Sequence, residues 1–214
     1  AVGLPVLFEG LVYNCCCLVQ DQKILGFTAK QFLANDGVHY EPRWFTSWIP
    51  GKIAQITIEG QTYDLGDLIY NIGGFKVGFE ICEDAWREDL RPGWKLYKNN
   101  IDIILNPSAS HFALGKSELR EALVSSSSKK FECLYVYANL LGNESGRMIF
   151  DGDILFGLNG KIVRRSSLLS YKNSDLLVMD YQKGDTAVPE MTAEKDPEKL
   201  LKEFTQASTL ALFD

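Results

Sequence analysis

The chain has 214 residues, a net charge of −6 and a hydrophobic content of 46%, room for one α/β-sized domain with a packed core. The acidic balance gives no reason to expect nucleic acid as a partner, since Lys and Arg are scattered rather than striped. No run approaches a membrane span and no signal-peptide pattern is seen, so no membrane partner is expected.

The sequence opens on strand-like Val2-Gly3-Leu4-Pro5-Val6-Leu7-Phe8. Strands are predicted over 11–19, 23–28, 53–59, 75–81, 101–105, 134–140, 147–157, 161–166 and 176–181, from short runs rich in β-branched and aromatic residues. Helices are predicted over 86–99, interrupted by Pro92-Gly93, and over 115–131, where Leu119, Ala122, Leu123 and Ser126 share one face. The serine run at 125–128 has low helix propensity but is small, which suits close packing on a sheet. Turn signals at 152–161 mark a hairpin region, and no solenoid-length repeat is present. A last helix starts with Asp196-Pro197-Glu198, a cap residue followed by Pro and an acid in the first turn. Its stripe of Leu200, Leu201, Phe204, Ala207 and Leu210 runs to Phe213 without a C-cap signal. Because Ala1 is not an initiator Met, the chain reads as a fragment of a longer protein. Mixed strands covered by helices predict a layered α/β architecture.

The five cysteines are odd in number and in no pairing pattern, which predicts a reducing, cytoplasmic setting. Cys15, Cys16 and Cys17 alternate faces of one strand and form no metal site; they read as small residues on a mostly buried strand, and no metal is expected. Cys82 differs. It ends the strand run Phe75-Lys76-Val77-Gly78-Phe79-Glu80-Ile81 and precedes Glu83-Asp84-Ala85-Trp86, an acidic entry to a helical turn. A thiol placed beside the free N–H groups of such a turn can be held as thiolate, and those donors can also hold an oxyanion. The competing reading is a buried cysteine beside a solvated acidic turn.

A nucleophile needs an activating partner. His39 and His111 fall in no Cys–His pattern. Lys30 ends the strand at 24–27 and enters the irregular Ala34-Asn35-Asp36-Gly37 segment. A buried ammonium there would stabilise thiolate and oxyanion; a solvated edge charge is the alternative.

Gly78-Phe79-Glu80-Ile81-Cys82-Glu83-Asp84-Ala85-Trp86 resembles the nucleophile motif of the nitrilase superfamily, which uses a Glu–Lys–Cys triad. More narrowly, the chain resembles the glutaminase domain of glutamine-dependent NAD synthetases over most of residues 3–180. Tyr13-Asn14-Cys15, Lys23-Ile24-Leu25, Lys30, Tyr40-Glu41-Pro42-Arg43-Trp44-Phe45-Thr46, Cys82, Asn106-Pro107-Ser108-Ala109-Ser110, Gly115-Lys116 and Phe150-Asp151-Gly152-Asp153 agree with it in order and spacing.

The resemblance implies an α-β-β-α sandwich lacking its N-terminal segment, with residues 1–190 as a partial glutaminase domain and 191–214 as a helix leading to an absent synthetase domain. It implies Cys82 as nucleophile, Lys30 as the oxyanion-stabilising cation, and Glu41 as the glutamate that holds the lysine or orients substrate. Glu83, Ser110 and Lys116 match positions on the glutamine side of the site, with Tyr40 as a wall residue. The implied partners are L-glutamine, the synthetase domain of the same parent chain and further copies in a homo-oligomer. No cofactor is implied for this part, while ATP and Mg2+ belong to the synthetase domain. One departure matters: the triad's general-base Glu is expected upstream of residue 1, and Glu9 lies too close to Lys30 to take that role. An isolated chain without that base is expected to be weak or inactive. The alternatives are a stand-alone nitrilase-type amidase or carbamoylase, and a scaffold domain that keeps the fold without turnover.

Overall fold

Two-residue turns with both residues at positive φ set the first sheet. Glu9-Gly10, Asp21-Gln22 and Glu59-Gly60 each take that conformation, whose twist matches the flanking strands. They connect β1 (Val2–Phe8) to β2 (Leu11–Gln20), β2 to β3 (Lys23–Ala29), and β4 (Ile53–Ile58) to β5 (Gln61–Gly66). The sheet order is β1-β2-β3-β5-β4, with β3 and β5 parallel and the other pairs antiparallel. The computed structural model describes residues 1–144, 148–185 and 198–213, and its two compact units are Ala1–Ile104 and Leu105–Asp214.

In the first unit, Cys15 and Cys17 project to one face of β2 and join Val6, Tyr13, Phe27, Trp48 and Leu65 in a core cluster. Cys16, on the alternate face, is also buried, so β2 is covered on both sides. The hairpin of β6 (Tyr70–Ile72) and β7 (Phe75–Phe79) leads into 3-10 turns at Cys82–Trp86 and Glu88–Leu90, then into α1 (Gly93–Lys98). The helix predicted over 86–99 is therefore only a short final piece. Glu80, fully buried, accepts the N–H of Gly93 at 2.8 Å and pairs with Arg91, so α1 starts at that carboxylate rather than at Trp86. Gly78 admits Leu96 of α1 against β7; a Cβ there would lie 2.5 Å from the leucine side chain.

In the second unit, β8 (Ile103–Ser108), which begins at the unit boundary, is followed by α2 (Lys116–Lys130), β9 (Leu134–Asn139), β10 (Leu141–Glu144), β11 (Met148–Asp151), β12 (Ile154–Leu158), β13 (Lys161–Arg165) and α3 (Lys199–Phe213). The order β8-β9-β12-β13 forms a sheet, and β10-β11 forms a separate pair. The strand predicted over 147–157 is two strands, because Gly152 turns the chain at φ +68 and the halves pair with β10 and β9 respectively. Residues 176–181 form no strand, having no ladder partner.

Two helix faces differ from their patterns. On α2 the buried residues are Ser117, Arg120, Val124, Ser127 and Ser128, whereas Leu119 is 61% exposed. The small serines allow the close approach: Gly157 of β12 meets Val124, and Ser128 Oγ accepts the N–H of Gly160 at 3.0 Å. On α3, Ala207 and Leu210 pack on Leu169, with Phe112, Ile149 and Leu168 around them, while Leu200, Leu201 and Phe204 are exposed. The expected cap at Asp196 and Pro197 lies outside the described residues.

Candidate active site

Lys30 follows β3 and extends it by one residue. Its N–H donates to Asn14 O at 2.8 Å and its carbonyl accepts from Trp48 N–H at 3.0 Å. The side chain is 1% exposed, and Nζ donates to Glu41 Oε2 at 2.5 Å. A buried ammonium without a counter-charge would be strongly disfavoured, so this carboxylate is what permits its burial. Glu41 is itself held: Oε2 also accepts the Ala34 N–H at 2.6 Å, and Oε1 accepts Asn14 Nδ2 at 2.9 Å. It opens the 3-10 turn Glu41–Arg43, where Pro42 fixes φ at the second position. Tyr40, just before, is 62% exposed.

Cys82 has φ +49 and is half-buried. A non-glycine residue in the left-handed region carries a cost that its surroundings must offset, and such residues cluster at active sites. Here the turn is closed by Asp84, whose N–H donates to Ile81 O at 3.1 Å while its Oδ2 accepts Ile81 N–H at 3.0 Å. The same carboxylate reaches the lysine segment: Oδ1 accepts Gln31 N–H at 3.1 Å and Phe32 N–H at 2.8 Å. Arg87 lies over the Phe32 ring at 5.8 Å, a second link between the two segments. Burial pushes the Asp84 carboxyl up to about 7, against the pull of the backbone donors and the Lys30 charge. Glu83 pairs with Arg87 at 2.6 Å, and burial raises its pKa, opposed first by Arg87. Lys30 and Glu41 both act on Glu83 electrostatically, so the residues after Cys82 lie in the field of that pair.

The remaining expected residues lie in the second unit. Ser110 is clamped through its backbone by Asn139, whose Oδ1 accepts Ser110 N–H at 2.8 Å and whose Nδ2 donates to Ser110 O at 2.8 Å. Asn139 Nδ2 also donates to Asp151 Oδ1 at 2.7 Å. Arg120, fully buried, pairs with Asp151 and donates to Ser110 O at 3.0 Å. Lys116 opens α2 with Nζ 3.3 Å from His111 Nδ1.

Lys30, Glu41 and the Cys82 turn are thus joined within one unit. Sequence reasoning names Asn14, Asp84 and Asp151 within motifs without giving them a site role, and it does not single out Arg120 or Asn139. Asp84 reads locally as a dipole-complementing acid, and a buried Arg–Asp pair reads as two solvated charges. A half-buried thiol on a turn whose Asp84 is hydrogen-bonded to the segment after a buried, carboxylate-held cation is suited to attack on a carbonyl with stabilisation of the resulting oxyanion. Among the described residues, no group of three His, Cys, Asp or Glu is arranged to hold a metal ion. Nor is any helix of these residues long and apolar enough to cross a membrane.

No protein-family model matches the chain. A glutamine-dependent NAD(+) synthetase of Bos taurus is 31% identical over 186 residues, covering 82% of this chain and 26% of that protein. The crystal structure of a glutamine-dependent NAD(+) synthetase from Cytophaga hutchinsonii is 45% identical with a TM-score of 0.84, covering 100% of this chain and 32% of that one. A carbon-nitrogen hydrolase from Helicobacter pylori G27, at 18% identity and a TM-score of 0.63 over 77% of this chain and 57% of its own, shares the fold alone. The chain spans about a quarter of the length of the curated relatives it matches. The chain is a homologue of part of the glutamine-dependent NAD(+) synthetases, and its fold is that of the nitrilase superfamily.

Proposed function

We propose that this chain carries the glutaminase centre of a glutamine-dependent NAD synthetase. The Cys82 thiolate attacks the side-chain amide carbon of L-glutamine, and the Lys30 ammonium stabilises the tetrahedral oxyanion. The amide nitrogen takes a proton and leaves as ammonia, giving a γ-glutamyl thioester; water then releases glutamate and regenerates the thiol. Glu41 holds the lysine. Its oxygens accept from Lys30, Ala34 and Asn14, which fits a holding role. The base that moves these protons we assign to a glutamate outside residues 1–214, as the resemblance implies. Glu83, Ser110 and Lys116 we assign to the glutamine side and Tyr40 to the wall only as the resemblance implies.

The single observation that carries this reading is the buried Lys30 ammonium at 2.5 Å from Glu41, on the strand end joined to the Cys82 turn. Residues 1–190 form the glutaminase part and 191–214 lead towards a synthetase domain. There the ammonia amidates adenylated deamido-NAD, using ATP and Mg2+, within a cytoplasmic homo-oligomer. The free thiols accord with a reducing compartment.

The test measures NAD synthesis from glutamine and from free ammonia in the full-length protein. Cys82→Ala is expected to abolish the first and leave the second largely intact. Glutamine-dependent synthesis surviving Cys82→Ala would overturn the reading. Hydrolysis of other small amides with no NAD formed would favour a stand-alone amidase.

A further inference from the structure

We propose that Asp84 is a positioning residue that holds the lysine-bearing strand end and the cysteine turn in one fixed arrangement. The inference rests on the glutaminase reading above and adds a residue to it.

Asp84 accepts three backbone N–H groups from two segments. Gln31 and Phe32 follow Lys30 directly, and Ile81 directly precedes Cys82. A single 2%-exposed carboxylate thus joins the residue after one functional side chain to the residue before the other. Backbone donors reach both carboxyl oxygens, and the geometry is set by a side chain with only two torsions. The Arg87–Phe32 contact also links the segments, but it joins side chains and holds no backbone group. Cys82 sits in the left-handed region, and residues 31–40 form no regular element. Asp84 does not pair with Lys30; that ammonium is given to Glu41. Its partners are all main-chain, which distinguishes a residue that sets where the segments lie from one that takes part in the chemistry. The charged groups acting on it are Lys30, from the strand end, and Glu80, from the residue before Ile81.

Misplacement of reacting groups by about 1 Å costs on the order of 10²-fold in rate with little change in ground-state binding. Asp84→Asn keeps the shape and the acceptor towards Gln31 and Phe32, but places an NH2 against the Ile81 N–H. Asp84→Ala removes every acceptor.

The experiment uses the full-length protein and three readouts: kcat and KM for glutamine hydrolysis, the alkylation rate of Cys82 by iodoacetamide mapped by mass, and the thermal midpoint. In folded variants, kcat is expected to fall about 10-fold for Asn and about 10²-fold for Ala, with KM within about threefold. Cys82 alkylation is expected to slow in the same order. Alkylation does not depend on glutamine. If the wild type fails to hydrolyse glutamine, the functional reading falls, and the alkylation ratio alone decides the positioning role. Unchanged alkylation in a folded variant overturns the proposal. So does loss of folding in both variants, which assigns Asp84 to stability alone.

Discussion

The Lys30 ammonium lies 2.5 Å from Glu41 Oε2, with 1% of the lysine side chain and 20% of the glutamate side chain exposed. An ion pair this buried contributes through the cost of breaking it rather than through its net attraction. Glu41→Ala leaves the ammonium uncompensated. The expected loss is about 3 kcal/mol of stability, the low end for a buried pair because Glu41 keeps some solvent contact. Lys30→Met should lower kcat for glutamine by roughly 10²–10³-fold, the range for removing one oxyanion donor. Steady-state kinetics and chemical denaturation of the two variants check this; a Lys30→Met protein with wild-type kcat would contradict it.

The thiols should separate cleanly. Cys82 is half-buried, whereas Cys15, Cys16, Cys17 and Cys133 are buried. Burial, reinforced by the neighbouring thiols, pushes Cys15 up to about 12; burial pushes Cys16 up to about 11. An electrophilic glutamine analogue is expected to label Cys82 first in the folded protein. Mass mapping of the adduct reads the order, and labelling of Cys133 ahead of Cys82 would refute it.

The raised pKa of Asp84 has a definite sign for stability. A carboxyl that titrates near 7 when folded and near its ordinary 3.8 when unfolded binds more protons in the folded state. Its contribution is therefore fullest below pH ~3.8, declines as the pH rises to about 7 and is flat beyond, with a slope of at most about 1.4 kcal/mol per pH unit. Lys30 opposes the shift and Glu80 adds to it. Asp84→Asn should flatten this part of the stability profile between pH 5 and 7. An unchanged slope in urea titrations across that range would count against the assignment.

Arg120 and Asp151 are 0% and 1% exposed, and their pairing carries the Ser110 clamp. Asp151→Ala leaves the buried Arg120 with the more distant Asp153 carboxylate, 3.8 Å away, at an expected cost of about 3 kcal/mol, or roughly 10 °C in Tm for a chain of this size. Asn139→Ala should be milder in stability but raise KM for glutamine, because it frees both backbone hydrogen bonds of Ser110. Calorimetry and KM measurements on the pair distinguish the two effects.

Gly157 faces α2 so closely that a Cβ would lie 2.7 Å from Val124 Cγ1 and 2.8 Å from its carbonyl oxygen. The carbonyl belongs to helix backbone and cannot swing aside. Gly157→Ala is expected to cost about 1–3 kcal/mol. Combining it with Val124→Ala should recover little, since the backbone contact remains; full recovery would show that the methyl group alone sets the spacing.

Much of the fold was legible because its signals are local. Short alternating runs marked β2, β3, β4, β7, β9 and β13, and Asn159-Gly160 marked the β12–β13 turn. The strand–Cys–Glu-Asp sequence around Cys82 identified the nucleophile candidate, and the order of its companions suggested the family. Tertiary structure decided which charges are buried and which helix faces are covered. α2 turns Ser117, Ser127, Ser128 and Arg120 inward, because β12 offers Gly157 for close approach and Asp151 offers a counter-charge. A sequence pattern records hydrophobicity along one segment, and a covered polar face has none to record. Likewise, Asp84 finds its donors 52 and 53 residues away, at Phe32 and Gln31. Local sequence specifies that Asp84 can accept hydrogen bonds; only the packing of the Cys82 turn against the end of β3 determines whose bonds it accepts.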